Sequence, residues 1–140
     1  MKLQKNTSLA LYSVLEFARE PERHIAAAEI AEKYDISAHH LAKVLAELAR
    51  SGILSSVRGA GGGYRFTGNA KRLTLMDIVQ MFEDYGNGDA SAPAQTTPVE
   101  AGLSLVLSEI DENARATFRS ITLATMLRLI ERQQGAVRAD

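Results

Sequence analysis

Residues 55–66 read Ser-Ser-Val-Arg-Gly-Ala-Gly-Gly-Gly-Tyr-Arg-Phe, and they hold the most concentrated chemistry of the chain. Arg58 and Arg65 stand on either side of Gly59, Gly61, Gly62 and Gly63. Glycine backbone can take positive φ angles and lets the chain approach another surface closely. Two β-prone pieces, 55–58 and 64–66, flank the glycines, which predicts a hairpin with a cation on each side. Glycines that cradle a nucleotide phosphate open a helix after a strand. Here Tyr64, Arg65 and Phe66 follow as a strand, so a nucleotide site is not expected. A purely structural hairpin competes with a nucleic-acid contact, and the surroundings decide between them.

His39 and His40 are the next chemically active pair. Neighbours in a helix point about 100° apart, so one metal ion cannot easily take both. His24 completes no ligand-spaced triad, and no metal site is expected. An imidazole beside phosphate is stabilised in its charged form, so affinity for DNA should rise from about pH 8 to 6 if either ring faces it.

These residues need elements to position them. Residues 7–19 predict an apolar, buried helix that Thr7 or Ser8 could cap and Pro21 stops. Residues 26–34 form a short helix, with Asp35 and Ile36 as the turn. Ser37 then caps a helix over 38–50, whose Leu41, Val44, Leu45 and Leu48 share one face. Its other face carries His39, His40, Lys43, Glu47 and Arg50. Helix, tight turn, capped helix and basic hairpin match a winged helix-turn-helix.

Beyond the hairpin, Thr74 and Asp77 set up a capping box for a helix over 75–82. Residues 84–97 carry no hydrophobic pattern, and a loop this long is functional or disordered. Thr97, Pro98 and Glu100 start a helix that runs to about residue 119. Its stripe of Leu103, Val106, Leu107, Ile110, Ala114 and Phe118 is most simply covered by a twin in a dimer, the alternative being burial against its own domain. A last helix, 122 to about 132, presents Leu123, Met126, Leu127 and Ile130, and 133–140 is expected to fray. The domains are then 1–83, a DNA-binding head; 84–97, a loop; and 98–140, a dimerisation helix with a C-terminal helix.

The chain has 140 residues, 46% of them hydrophobic, which suffices for one core. No run approaches the roughly 18 apolar residues of a membrane span, and the first residues do not resemble a signal peptide, so a cytoplasmic protein is expected. The net charge of −1 is unevenly spread: residues 1–80 carry 11 Lys or Arg against 8 Asp or Glu, and residues 81–140 carry 5 against 9. A basic reading head on a mildly acidic second module fits that asymmetry. The absence of cysteine excludes disulfides, thiolate zinc sites and cysteine-ligated iron–sulfur clusters.

With these pieces in place the chain resembles the Rrf2 family of bacterial winged-helix transcription regulators over nearly its whole length. That family includes the iron–sulfur cluster regulator, the nitric-oxide-sensitive repressor and the cysteine-metabolism repressor. The residues 56–64 of the wing carry the resemblance most specifically. Leu9-Ala10-Leu11-Tyr12, Glu29-Ile30-Ala31-Glu32 and Ser120-Ile121-Thr122-Leu123-Ala124 support it. The resemblance implies a homodimer with the recognition helix in the major groove and the wing in the minor groove. Base-reading candidates are then Ser37, Ala38, His39, His40 and Lys43. Arg58, Gly59, Gly61, Gly62 and Tyr64 belong to the wing, where an arginine is drawn to narrow A·T-rich tracts. Lys2, Lys5, Arg50 and Arg65 are phosphate candidates, which position without specifying. A two-fold protein implies an inverted-repeat operator on double-stranded DNA.

One departure is plain. Sensing members hold a cluster on three cysteines in the loop that corresponds to 84–102, where this chain has Ala90, Ser91, Ala92 and Ala94. Serine and alanine supply no soft thiolate, so no iron–sulfur cofactor is expected. A natural cluster-free branch, similar to the cysteine-metabolism repressor, and replacement of the ligands both remain open, and the unrelated loop favours the first. An effector would be a small molecule or protein meeting 84–97 or the dimer interface, or binding is constitutive. The competing function is a winged helix that docks another protein in place of DNA. No Ser-His-Asp spacing, phosphate loop or carboxylate pair supports an enzyme.

Overall fold

Leu41, Val44, Leu45 and Leu48 recur at helical spacing, and in the computed structural model all four are buried against the rest of the chain. Residues 3–58, 63–83 and 97–138 are described. Three helices come first: α1 Lys5–Arg19, α2 Ala27–Lys33 and α3 Ala38–Arg50. The strands β1 Leu54–Val57 and β2 Gly63–Phe66 follow, then α4 Leu75–Phe82, α5 Pro98–Ser120 and α6 Leu123–Arg138.

Both helices of the helix-turn-helix stop in the same way. After α2 the Ile36 N–H donates to Ala31 O (2.8 Å) and the Asp35 N–H to Glu32 O (3.3 Å), with Asp35 at φ +52°. After α3 the Ile53 N–H donates to Leu48 O and the Gly52 N–H to Ala49 O (both 3.1 Å), with Gly52 at φ +85°. A left-handed residue reverses the chain and satisfies the last carbonyls, and Asp tolerates that conformation better than most side chains. The tight turn between α2 and α3 follows from it.

The strands pair antiparallel in the register Leu54↔Phe66, Ser55↔Arg65, Ser56↔Tyr64 and Val57↔Gly63. Ile25, just before α2, adds a bridge to Tyr64, with both backbone bonds at 2.9 Å. A Cβ on Gly63 would lie 2.5 Å from Ile25 O, so only glycine allows this approach. Gly63 is therefore a strand residue that seats the wing's base on the helix-turn-helix. A second bridge, Thr74↔Thr122, ties the start of α6 to the segment before α4.

The core gathers Phe17 of α1, Leu41, Leu45 and Leu48 of α3, Ile78 of α4 and Leu123 of α6, all fully buried. Each such side chain contributes on the order of 1.5–3 kcal/mol by leaving water. Tyr12 and Tyr34 stack with ring centroids 5.1 Å apart, joining α1 to the end of α2.

Three expectations shift. The first helix starts at Lys5, ahead of Thr7 and Ser8, and its N-cap Gln4 makes no side-chain cap. Thr7 is fully buried instead. The second runs 27–33 because Ala26 and Tyr34 are its caps. The last helix does not fray at 133 but continues to Arg138. Its Gly135 costs about 1 kcal/mol, which good helix formers around it offset, and Arg19 Nη2 donates to Gln134 Oε1 at 3.2 Å. The strands sit at 54–57 and 63–66, close to the predicted pieces.

Candidate nucleic-acid interface

The polar face of α3 is held out by the burial of its opposite face. Ser37 Oγ accepts the His40 N–H at 3.3 Å and so caps the helix, as its position before 38–50 predicts. Ala38, His39 and Lys43 are exposed. His40 is half-buried, and its Nε2 is covered without a hydrogen-bond partner. The two imidazoles therefore diverge, His39 toward solvent and His40 into a groove.

That groove, about 590 Å³, brings together Asn6 of α1, His40, Lys43, Glu47 and Arg50 of α3, and Met81 and Phe82 of α4. Glu47 pairs with Arg50 one turn on, which turns part of the flank's charge inward on itself. Lys5, at the first position of α1, is exposed next to Asn6. The start of α1 thus borders the polar flank of α3, a neighbour relation that helical periodicity alone does not reveal.

In the wing, Arg58 is exposed immediately after β1. Arg65 is half-buried on β2 and lines a separate hollow with Glu22, Asn69 and Lys71. Tyr64 turns inward: its ring meets Phe17 edge-on at 6.4 Å, and its backbone pairs with Ile25. Lys2, Gly59, Gly61 and Gly62 lie outside the described residues, as do 84–96.

The predicted dimer stripe divides in two. Leu103, Val106, Leu107 and Ile110 are each more than half exposed. Ala114 and Phe118 are half-buried where α5 packs on α4. Val99 and Leu105 are exposed as well, and Val99 extends the stripe one turn toward the N-terminus.

On the back of the helix-turn-helix, Glu16 accepts from Lys33 Nζ (2.8 Å) and Tyr34 Oη (2.6 Å). Burial pushes the Glu16 carboxyl up, but these two bonds and the charges of Lys33 and Arg19 outweigh it and hold the group below its ordinary value. Burial, with the Glu16 carboxylate beside it, pushes the Tyr34 phenol strongly up.

A helix-turn-helix followed by a two-stranded wing defines a winged-helix regulator. A family model described as Rrf2, iron-dependent transcriptional regulator, matches residues 3–129. The chain belongs to the Rrf2 family of transcriptional regulators and is not an enzyme. It is 48% identical over 134 residues to a Rhodopseudomonas palustris protein with the provisional name HTH-type transcriptional regulator BadM, covering 96% of this chain and 86% of that one. Among solved structures it is similar to T. potens IscR, with a TM-score of 0.71, 26% identity and coverage of 96% and 91%. The fold also matches CymR, the global cysteine regulator of B. subtilis, at a TM-score of 0.72, 23% identity and coverage of 92% and 98%.

A cysteine-ligated iron–sulfur cluster does not fit this chain's donors. No thiolate exists anywhere in it. Among the described residues no three His, Cys, Asp or Glu side chains cluster as metal ligands. No helix of the described residues is long and apolar enough to cross a membrane.

Proposed function

We propose that the chain is a homodimeric, sequence-specific DNA-binding regulator that represses by occupying promoters. α3 enters the major groove with Ala38, His39 and Lys43 leading, and Arg58 with the wing glycines reaches the minor groove. Lys5 and Arg50 lie along the phosphates. Leu103, Val106, Leu107 and Ile110 pair with their twins, which gives the operator two-fold symmetry.

The observation that carries this reading is the division of α3. Its Leu41, Val44, Leu45 and Leu48 are buried while His39 and Lys43 are exposed on the opposite face, beside the start of α1. Selection of the purified protein against a random duplex library tests it. The expected winner is an inverted repeat whose affinity falls steeply as salt rises, because each neutralised phosphate releases counterions. A folded, dimeric protein that enriches no sequence would overturn it in favour of a protein-docking winged helix.

A further inference from the structure

α4 and α5 are capped from within: Thr74 with Asp77, and Thr97 with Glu100, each three residues apart. α1 is different. Its Gln4 offers no side-chain cap, its first turn has no acid, and its leading N–H groups lack helical partners. The acid comes from far along the chain. Glu83 Oε1 accepts the Gln4 N–H at 2.6 Å and the buried Thr7 hydroxyl at 2.9 Å, across 79 and 76 residues. Glu83 is itself anchored, since its N–H donates to Val79 O at 2.8 Å and closes α4.

A local cap makes a helix, but a remote one also fixes where that helix starts relative to another element. The first turn of α1 carries exposed Lys5 and, at Asn6, borders the groove of His40, Lys43 and Arg50. We infer that Glu83 is a positioning residue for DNA binding: its carboxylate holds the start of α1 so that Lys5 meets the phosphate backbone beside α3. The inference rests on the reading of α3 and α1 as the DNA face.

Simple electrostatics and this inference have opposite signs. A bystander carboxylate repels phosphate, so its removal should tighten binding. Removal of a positioning carboxylate should weaken it. The test uses the full chain and its library-selected duplex, with Glu83→Ala, Glu83→Gln, Lys5→Ala and the double variant Lys5→Ala/Glu83→Ala. Glu83→Ala is expected to bind roughly three- to tenfold more weakly, with the salt slope reduced by about one phosphate contact. Glu83→Gln keeps an oxygen that can accept both bonds and should recover most of the loss. In the Lys5→Ala background Glu83→Ala should add little, because both changes remove one contact. Hydrogen exchange supplies a readout free of DNA: the amides of residues 4–8 should exchange faster in Glu83→Ala while those of α3 keep their protection.

Tighter or unchanged binding by Glu83→Ala, or full additivity with Lys5→Ala, overturns the inference. So does unchanged exchange at the start of α1. If the alanine variant unfolds, the glutamine variant decides, and binding as weak as that of Lys5→Ala overturns it. A wild-type chain that binds no duplex while Glu83→Ala still loosens residues 4–8 leaves Glu83 a structural cap, and overturns both its positioning role and the DNA reading.

Discussion

α3 and α5 are both capped amphipathic helices, with Ser37 before one and the Thr97–Glu100 box before the other. In α3 the apolar residues Leu41, Val44, Leu45 and Leu48 are buried, covered by the other elements of the head. In α5 none of the 23 residues is buried, and Leu103, Val106, Leu107 and Ile110 face outward. Capping and propensity make both helical, so local structure is not what separates them. The difference is the source of cover: the head supplies its own, whereas the first turns of α5 have none among the described residues. An apolar stripe of this size left in water is costly, which is the physical reason to expect a second copy on it.

Five measurements break or sharpen this contrast. A Leu107→Asp/Ile110→Asp double change should halve the solution mass without lowering the melting point of the head. It should also weaken binding to an inverted repeat by about 10² or more, as the linked second head is lost; an unchanged mass would move the interface elsewhere. Leu45→Ala acts on the covered helix and should cost the head about 2–5 kcal/mol in denaturant titration, leaving α5 association intact. Gly63→Ala forces β2 away from the Ile25 backbone, with an expected loss of about 1–3 kcal/mol and a matching drop in DNA affinity. Arg58→Ala should leave stability alone and lower affinity roughly tenfold, most at sites with A·T-rich flanks, as competition binding would show.

The smallest effect concerns Glu16. Its carboxyl titrates below its ordinary value in the folded chain, so its contribution to stability is complete above the usual carboxylate range and is lost as pH falls through the folded value. Thermal melts should show wild type ahead of Glu16→Gln near neutrality, with the gap closing on acidification. A gap that persists in acid would exclude the ionised carboxylate as its source.

The parts of this molecule legible in the sequence are those set by neighbours three or four residues apart. Ser37, Thr74 with Asp77, and Thr97 with Glu100 announce helix starts because a cap and its N–H donors are close along the chain. The polar face of α3 and the exposed stripe of α5 follow from the same periodicity. The illegible parts pair distant residues. Nothing near Gln4 reveals that Glu83 serves as its cap. Gly63 reads as one more turn glycine until Ile25 is seen against it. His40 looks equivalent to His39 until α4 and Asn6 form a groove on one side of α3. The end of α6 runs past the expected 132 to Arg138, and Gln134 near that end accepts from Arg19 of α1, a pairing that spans 115 residues and that local sequence does not show.

The bridge at Thr122 has a mechanical meaning. Around it the Leu75 N–H donates to Ile121 O, the Leu123 N–H to Leu73 O and the Ala124 N–H to Ala70 O, each at 2.9 Å. These three bonds clamp the return end of α5 to the head, so that the helix is a lever with its fulcrum at Ile121. At 23 residues its arm is about 35 Å long, and a tilt of about 10° at the fulcrum sweeps the far end through about 6 Å. A tilt at this joint too slight to disturb the core around Leu123 would thereby be magnified along α5 toward Val99.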